Sequence, residues 1–239
     1  MSFALVRSIA HILNDVDEQM FSQGDLRSAL EAQAKKMTAA IDAEPEENLR
    51  QADANAWAAS LVDHFRVPCP ELKTENLWME PPIEIGVDVS RDFNRMITDP
   101  YSTAVRNYRG YRVLVHVPFE GEADVFKLRA STFSMSPPRG HVRPDELTLE
   151  IEYPHDDPPD IDATVNRFIK SVSDLLANAC ADIGVFNRGL EPHALQAIEG
   201  RRQRIEQRDT HLAQSKIPVR RSGDLGSKTY IPDVLVRAR

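Results

Sequence analysis

Histidine and aspartate residues that could bind a metal ion meet in one short run, His155-Asp156-Asp157. Carboxylates and imidazoles are ordinary ligands of divalent ions, and folding could add His64, His116 or His141 to the set. The same acids also directly precede a predicted helix, where carboxylates are favoured as N-terminal caps. We therefore expect no metal, and a metal-dependent hydrolase is the third of our functional hypotheses.

Local motifs for covalent catalysis and for nucleotide binding are absent from the sequence. No serine lies in a GxSxG turn, and no GxGxxG or GxxxxGK[ST] loop occurs. The two cysteines, Cys69 and Cys180, lie far apart without paired neighbours, so the sequence suggests neither a metal knuckle nor a disulfide framework. Cys180 also fits the apolar pattern of a helix. We expect reduced thiols in a cytoplasmic protein, and no cofactor.

Arginine and tyrosine are interleaved between residues 106 and 112. This arrangement is typical of surfaces that stack bases and bind phosphates, so it predicts a nucleic-acid or partner-binding site. The alternative is that tyrosines at the start of a strand pack with their hydroxyl groups at the rim while the arginines stay in water. The candidate residues are Arg106, Tyr108, Arg109 and Arg112, with Tyr111 between them.

The net charge of −8 is unevenly distributed along the chain. Residues 199–239 hold ten Lys/Arg and five Asp/Glu, a net charge of +5, which leaves −13 for residues 1–198. Clustered basic side chains favour nucleic acid or an acidic partner, because they release counterions from phosphates. Alternatively, these arginines face solvent on a helix or pair with the acidic part of the same chain. The candidate binding residues here are Arg201, Arg202, Arg204 and Arg208.

Periodicity predicts an α+β fold with helices at both ends and a mainly antiparallel sheet or small sandwich between them. Asp25 and Asp160 are expected to cap helices. Gly189 and Pro192 are expected to divide the last helical region into a long pair, followed by short terminal strands. The predicted helices are 3–22, 25–42, 46–66, 160–187 and 192–213, and the predicted strands are 76–79, 83–89, 111–117, 131–134 and 147–152.

The chain is long enough for a substantial core. We predict an N-terminal helical segment at residues 1–66 and an α+β body at residues 67–239, in one compact unit. No run of about 18 to 20 uninterrupted apolar residues suggests a membrane span. The apolar stripe from Phe3 to Val16 lacks a following cleavage site, so we do not expect a signal peptide.

Several segments together resemble a known family. They are HVPFEGEADVFKLRASTFSMSPPRGHV, FNRGL, AIEGRRQRI and IPVRR, with LVDHFRVPCPEL and PPIEIGVDVSRD upstream. From about residue 46 the chain resembles a widespread N-terminal region of bacterial proteins that often precedes a restriction-type nuclease or another effector domain. The resemblance implies a link to antiviral defence, and it supplies no catalytic residue that could be carried over to this chain. Because a linker to the effector would begin where this chain ends, we expect no nuclease activity.

Three functions follow from these observations. The first is a non-catalytic sensing, scaffold or protein-interaction module, with the long helix and the basic helix as the partner surface and a homodimer as one arrangement. The second is a nucleic-acid-binding protein that uses Arg106, Tyr108, Arg109 and the basic tail. The third is the metal-dependent hydrolase. Trp57 and Trp78 are expected in the core or between segments, with a partner surface as the alternative.

Overall fold

The structure is a computed structural model, and it describes residues 19–89, 107–215 and 217. These residues adopt the α+β fold that the sequence predicts. Along the chain, three helices come before most strands of a mostly antiparallel sheet, and one long helix follows the sheet. Most of the predicted first helix, the site residue Arg106 and the predicted terminal strands lie outside the described residues.

Six strands form one sheet around a long central strand, β5, where alternate valines supply the buried face. β8 pairs antiparallel with one edge of β5 and with β7, whereas β2, β3 and β4 pair antiparallel with the other edge of β5. The strands are β2 (Glu71–Leu72), β3 (Trp78–Met79), β4 (Ile83–Asp88), β5 (Asn107–Glu120), β7 (His141–Val142) and β8 (Glu146–Pro154). Two further short strands, β1 (Gly24–Asp25) and β6 (Leu128–Arg129), pair in parallel.

The strand predicted at 131–134 is wrong, because side-chain contacts hold this segment as an irregular loop. The backbone N–H of Ser131 donates to the Asp182 carboxylate over 2.7 Å, and the Ser131 hydroxyl donates to the same carboxylate over 2.8 Å. These bonds take the place of a strand ladder at the start of the loop.

Aspartate caps begin three of the four helices, α1 (Leu26–Ala43), α2 (Glu46–Gln51), α3 (Ala54–Phe65) and α4 (Ile161–Ala213). Asp25 and Asp160 accept backbone N–H groups at the starts of α1 and α4, as predicted. The helix predicted at 46–66 is two helices, because the Asp53 carboxylate accepts the N–H groups of Asn55 and Ala56 and so starts a new helix.

The predicted C-terminal helical pair is wrong, because α4 is one continuous helix. Gly189 and Pro192 both lie inside it, although a proline in a helix interior costs about 3 kcal/mol. Leu190, Ala194 and Ile198 are fully buried on this part of α4, which continues the apolar stripe past both residues. Packing of that stripe offsets the local cost.

The described chain divides into two compact units, with boundaries after residues 32, 66 and 188. In the first unit, the buried face of β5 and β8 packs against the first part of α4, and residues 20–30 complete the core. In the second unit, the end of α1, helices α2 and α3, and the end of α4 all contribute buried side chains. These include Met37, Ile41, Leu49, Ala58, Leu61, Phe65, Leu190, Ala194 and Ile198.

A disulfide joins Cys69 to Cys180, so the expectation of unpaired thiols is wrong. Their Cα atoms are 5.4 Å apart although the cysteines are separated by 111 positions in the sequence. Nearby, the Asn187 side chain accepts from the backbone N–H of Val67 over 3.0 Å and donates to the Val67 carbonyl over 2.8 Å. Packing of the segment before β2 against α4 therefore brings together cysteines that the sequence places far apart.

Within the described ranges, no helix combines the length and the apolarity that crossing a bilayer requires. The cytoplasmic location stays a prediction.

Candidate functional site

A row of four side chains crosses the face of the sheet that lies opposite the buried valines of β5. Trp78 on β3 lies opposite His116 on β5, His116 lies opposite Thr148 on β8, and Thr148 lies opposite His141 on β7. Directly opposed residues in an antiparallel sheet project to the same face, so the register alone makes these four side chains neighbours.

His116 is the centre of this row and is almost fully buried, with 1% of its surface exposed. Its Nδ1 atom lies 3.1 Å from Glu146 Oε1 and 3.3 Å from the Thr148 hydroxyl, and its Nε2 atom lies 3.2 Å from Glu80 Oε1. A buried polar side chain is stable when its polar atoms have partners. Because both ring nitrogens contact carboxylates, His116 fixes its neighbours and is not available as a base or ligand without breaking those contacts.

The indole of Trp78 stacks on the His116 ring, with centroids 3.9 Å apart and planes inclined by 8°. Nevertheless 48% of Trp78 is exposed, so of the positions expected for this residue the core is wrong, whereas a partner surface stays a prediction. We define the apolar edge as four exposed side chains on and beside β3 and β4. They are Leu77, Trp78, Met79 and Ile83, each at least 36% exposed.

The predicted site residue Arg112 lies on the same face as Trp78 and is held by carboxylates of β8. Its guanidinium lies 2.7 Å from Glu150 and 2.8 Å from Glu152. The charge of Arg112 is thus compensated by two acids of the neighbouring strand, which ties β5 to β8.

The predicted residues Tyr108 and Arg109 line a groove of about 650 Å³ at the N-terminal end of β5. Tyr111, which the sequence also suggests for stacking, lines the groove as well, and the structure adds Glu84 and His155. The rings of Tyr111 and His155 lie 5.5 Å apart at an angle of 35°. The backbone N–H of His155 donates to the Arg109 carbonyl over 3.0 Å. Among the described residues, the groove therefore combines aromatic faces with the guanidinium of Arg109 and the carboxylate of Glu84.

The four basic site residues of the last helix all donate to residues 41–52 of the second unit. Arg201 donates to the carbonyls of Ile41 and Glu44 at the end of α1. Arg202 donates to the carbonyls of Leu49 and Ala52 at the end of α2, with a distance of 2.9 Å to Leu49. These guanidiniums occupy carbonyls that a helix C-terminus leaves without an intrahelical partner.

Arg204 and Arg208 make ion pairs instead. Arg204 lies 2.8 Å from Asp42, and Arg208 binds both carboxylate oxygens of Glu46 at 2.6 and 2.7 Å. Hydrogen bonding to Arg208 lowers the pKa of Glu46 below its ordinary value, and the same pairing raises the pKa of Arg208. Arg204 and Arg208 thus pair with acids of the same chain, which was one of the alternatives that the sequence left open. Binding of an external partner by these arginines stays a prediction.

In the part of the chain that the structure describes, no three side chains of His, Cys, Asp or Glu are grouped so that they could hold a metal ion. His155 lies beside Tyr111 in the groove, whereas His116 is enclosed by Glu80 and Glu146. The proposed set of His155, Asp156, Asp157 and further histidines therefore does not come together.

Comparison of the chain with protein-family models, with curated proteins and with solved structures gives no match.

Sequence reasoning missed the Trp78 and His116 pair and its two carboxylates. One signal was present, since His116 lies on the outward side of the alternation that buries Val113, Val115 and Val117. The partner of that outward position depends on the register of the two-residue strand β3, which has no local signature.

Proposed function

We propose that this chain is a non-catalytic protein-interaction module whose partner binds the apolar edge. The observation that carries the proposal is the state of Trp78, which is half exposed but held in place by stacking on the buried His116 ring. Tryptophan is enriched among residues that dominate binding energy at interfaces. A partner that covers a side chain already held in one position loses less conformational entropy on binding.

The resemblance to N-terminal regions that precede effector domains supports an effector protein of antiviral defence as the partner. In this proposal the chemistry belongs to the effector, and the present chain senses, positions or restrains it. The contacts of Arg201, Arg202, Arg204 and Arg208 within the second unit support the apolar edge as the partner surface in preference to the basic helix.

The test is capture of the partner from the native cells with the tagged chain at endogenous level, followed by mass spectrometry. We expect a stoichiometric partner with the wild type and its loss with Trp78→Ala, because truncating such an anchor costs about 2 kcal/mol or more, roughly 30-fold in affinity. Val185→Ala is the matched control, since Val185 is 63% exposed on α4. Equal capture by Trp78→Ala and the wild type would refute the proposal.

A second candidate function is binding of single-stranded nucleic acid in the groove. It is favoured by the gathering of Tyr108, Arg109, Tyr111 and His155 at one place. The anisotropy of a labelled oligothymidine would then rise when the protein is added at low salt. The affinity should fall about tenfold over a modest salt increase, and Tyr111→Ala should weaken it as well. No binding at low salt would remove this candidate.

A further inference from the structure

We infer that β4 accepts an extended peptide of alternating basic and apolar residues as an additional antiparallel strand. The inference rests on the proposed function, because it names the chemistry of the partner that the apolar edge receives. Addition of a strand to a sheet edge is a recurrent mode of peptide recognition, in which backbone hydrogen bonds supply affinity and alternate side chains supply specificity.

The ladder between β4 and β5 leaves backbone groups of β4 pointing away from the sheet. In an antiparallel strand, successive residues point their N–H and C=O groups to opposite edges. The Leu114 carbonyl accepts from the Glu80 N–H, and the Arg109 carbonyl accepts from the His155 N–H on the β8 side. The even-numbered residues of β5 therefore bond toward β3 and β4.

Ile83 and Ile85 lie opposite even-numbered residues of β5, so the odd-numbered residues of β4 bond to β5. The backbone groups of Glu84 and Gly86 consequently point to the outer edge of β4. Among the strands that the structure describes, none pairs with this outer edge. Two residues thus present donors and acceptors in the spacing that a new strand requires.

The two faces of β4 differ in chemistry. Ile83, Ile85 and Val87 project to the face that carries Trp78, whereas Glu84 projects to the face that carries Tyr111 and Arg109. A strand added beside β4 would place alternate side chains on these two faces. Its apolar residues would extend the apolar edge, and the basic residue opposite Glu84 would lie beside that carboxylate and near the Tyr111 ring, which both attract cations.

Charge argues against a second copy of the chain as this occupant, and backbone chemistry argues against a nucleic acid. A second copy of the chain would bring another Glu84-bearing strand from a protein of net charge −8, and like charges directly opposite each other destabilise a pair. A nucleic acid lacks the backbone N–H and C=O groups that pair with a strand, so it could lie in the groove but could not extend the sheet. A basic, strand-forming peptide satisfies both the backbone and the carboxylate.

The test uses a fluorescein-labelled peptide of eight alternating lysine and valine residues, with a glutamate and valine peptide as the control. We expect the lysine peptide to bind the wild type, as measured by anisotropy, with an affinity at least about fivefold above that of the glutamate peptide. Glu84→Lys should narrow or reverse this preference. Glu191→Lys, which makes the same charge change at an exposed position of α4, should leave it unchanged.

Backbone methylation distinguishes strand addition from simple charge attraction. In an antiparallel addition that keeps lysine on the Glu84 face, lysine N–H groups point toward β4 and valine N–H groups point away. N-methylation of the lysines should therefore abolish binding, whereas N-methylation of the valines should preserve it. Equal affinities for the two methylated peptides would overturn strand addition, and the reverse order would overturn the antiparallel arrangement.

The two proposals fail in different experiments. If Trp78→Ala loses the native partner but the wild type binds no lysine peptide, strand addition is refuted and the interaction module stands. If the lysine peptide binds with the expected methylation pattern but the native partner is captured equally by Trp78→Ala, strand addition stands and the role of the apolar edge as the partner surface is refuted.

Discussion

Removal of the disulfide between Cys69 and Cys180 should destabilise the first unit strongly. The two cysteines are separated by 111 positions, so the bond restricts a very long loop in the unfolded chain. The chain-entropy relation gives about 4.8 kcal/mol for a loop of this length at 25 °C, and losses on removing native disulfides are typically about 2 to 5 kcal/mol. Because Cys69 is exposed and Cys180 is half-buried, replacement by serine adds only a small packing cost.

The two tryptophans allow the effect to be assigned to one unit. Trp78 belongs to the first unit and Trp57 to the second, so a Trp57→Phe background makes fluorescence report the first unit. Guanidinium unfolding of the oxidised protein would be compared with that of the Cys69→Ser, Cys180→Ser double variant. A loss of several kcal/mol corresponds to a lower midpoint by on the order of 1 M. Reductant should shift the wild type by a similar amount and leave the double variant unchanged.

Two results would refute this reasoning. Alkylation of the unreduced protein, followed by intact mass measurement, should detect no free thiol, and two alkylated cysteines would show that the bond does not form. Equal midpoints for the oxidised wild type and the double variant would show that closing the loop contributes no stability.

Two further perturbations test single contacts. Asn187→Ala should lower the stability of the first unit by about 1 to 3 kcal/mol in guanidinium unfolding. The substitution removes the hydrogen-bond partners of the Val67 N–H and C=O groups, and Val67 is only 4% exposed. An unchanged free energy of unfolding would contradict this account. Glu46→Gln should lower the stability of the second unit by up to about 1 kcal/mol at neutral pH, measured by Trp57 fluorescence in a Trp78→Phe background. Arg208 lowers the pKa of Glu46, so the stability that this pair contributes is present above the ordinary pKa of 4.5 and is lost as the pH falls through the folded-state pKa. The unfolding free energies of the wild type and Glu46→Gln should therefore become equal in acid.

Features that depend on neighbouring residues could be predicted from the sequence. The alternation of Val113, Val115 and Val117 places β5 and its buried face correctly, although β5 extends further in both directions. Asp25 and Asp160 begin helices because a cap acts within three residues of its own position. The fold class therefore followed from local patterns.

Features that depend on distant residues could not be predicted. The disulfide and the stacking of Trp78 on His116 both require a three-dimensional register that no local signal specifies. At Gly189 and Pro192 the local signals were strong and pointed to a break, but burial of Leu190 on the continuing apolar stripe outweighs them. Tertiary packing decided the outcome in each case.

The second unit has a consequence for synthesis on the ribosome. Its helices α2 and α3 are complete at Phe65, but Leu190, which is buried in the same unit, emerges 125 residues later, and Arg202, which donates to the Leu49 and Ala52 carbonyls, emerges 137 residues later. At about 5 to 20 residues per second, this delay is roughly 6 to 25 s. During that interval Met37, Ile41 and Leu49 belong to a nascent chain whose apolar side chains lack their final neighbours, so the N-terminal helices are a natural substrate for chaperones until α4 is translated.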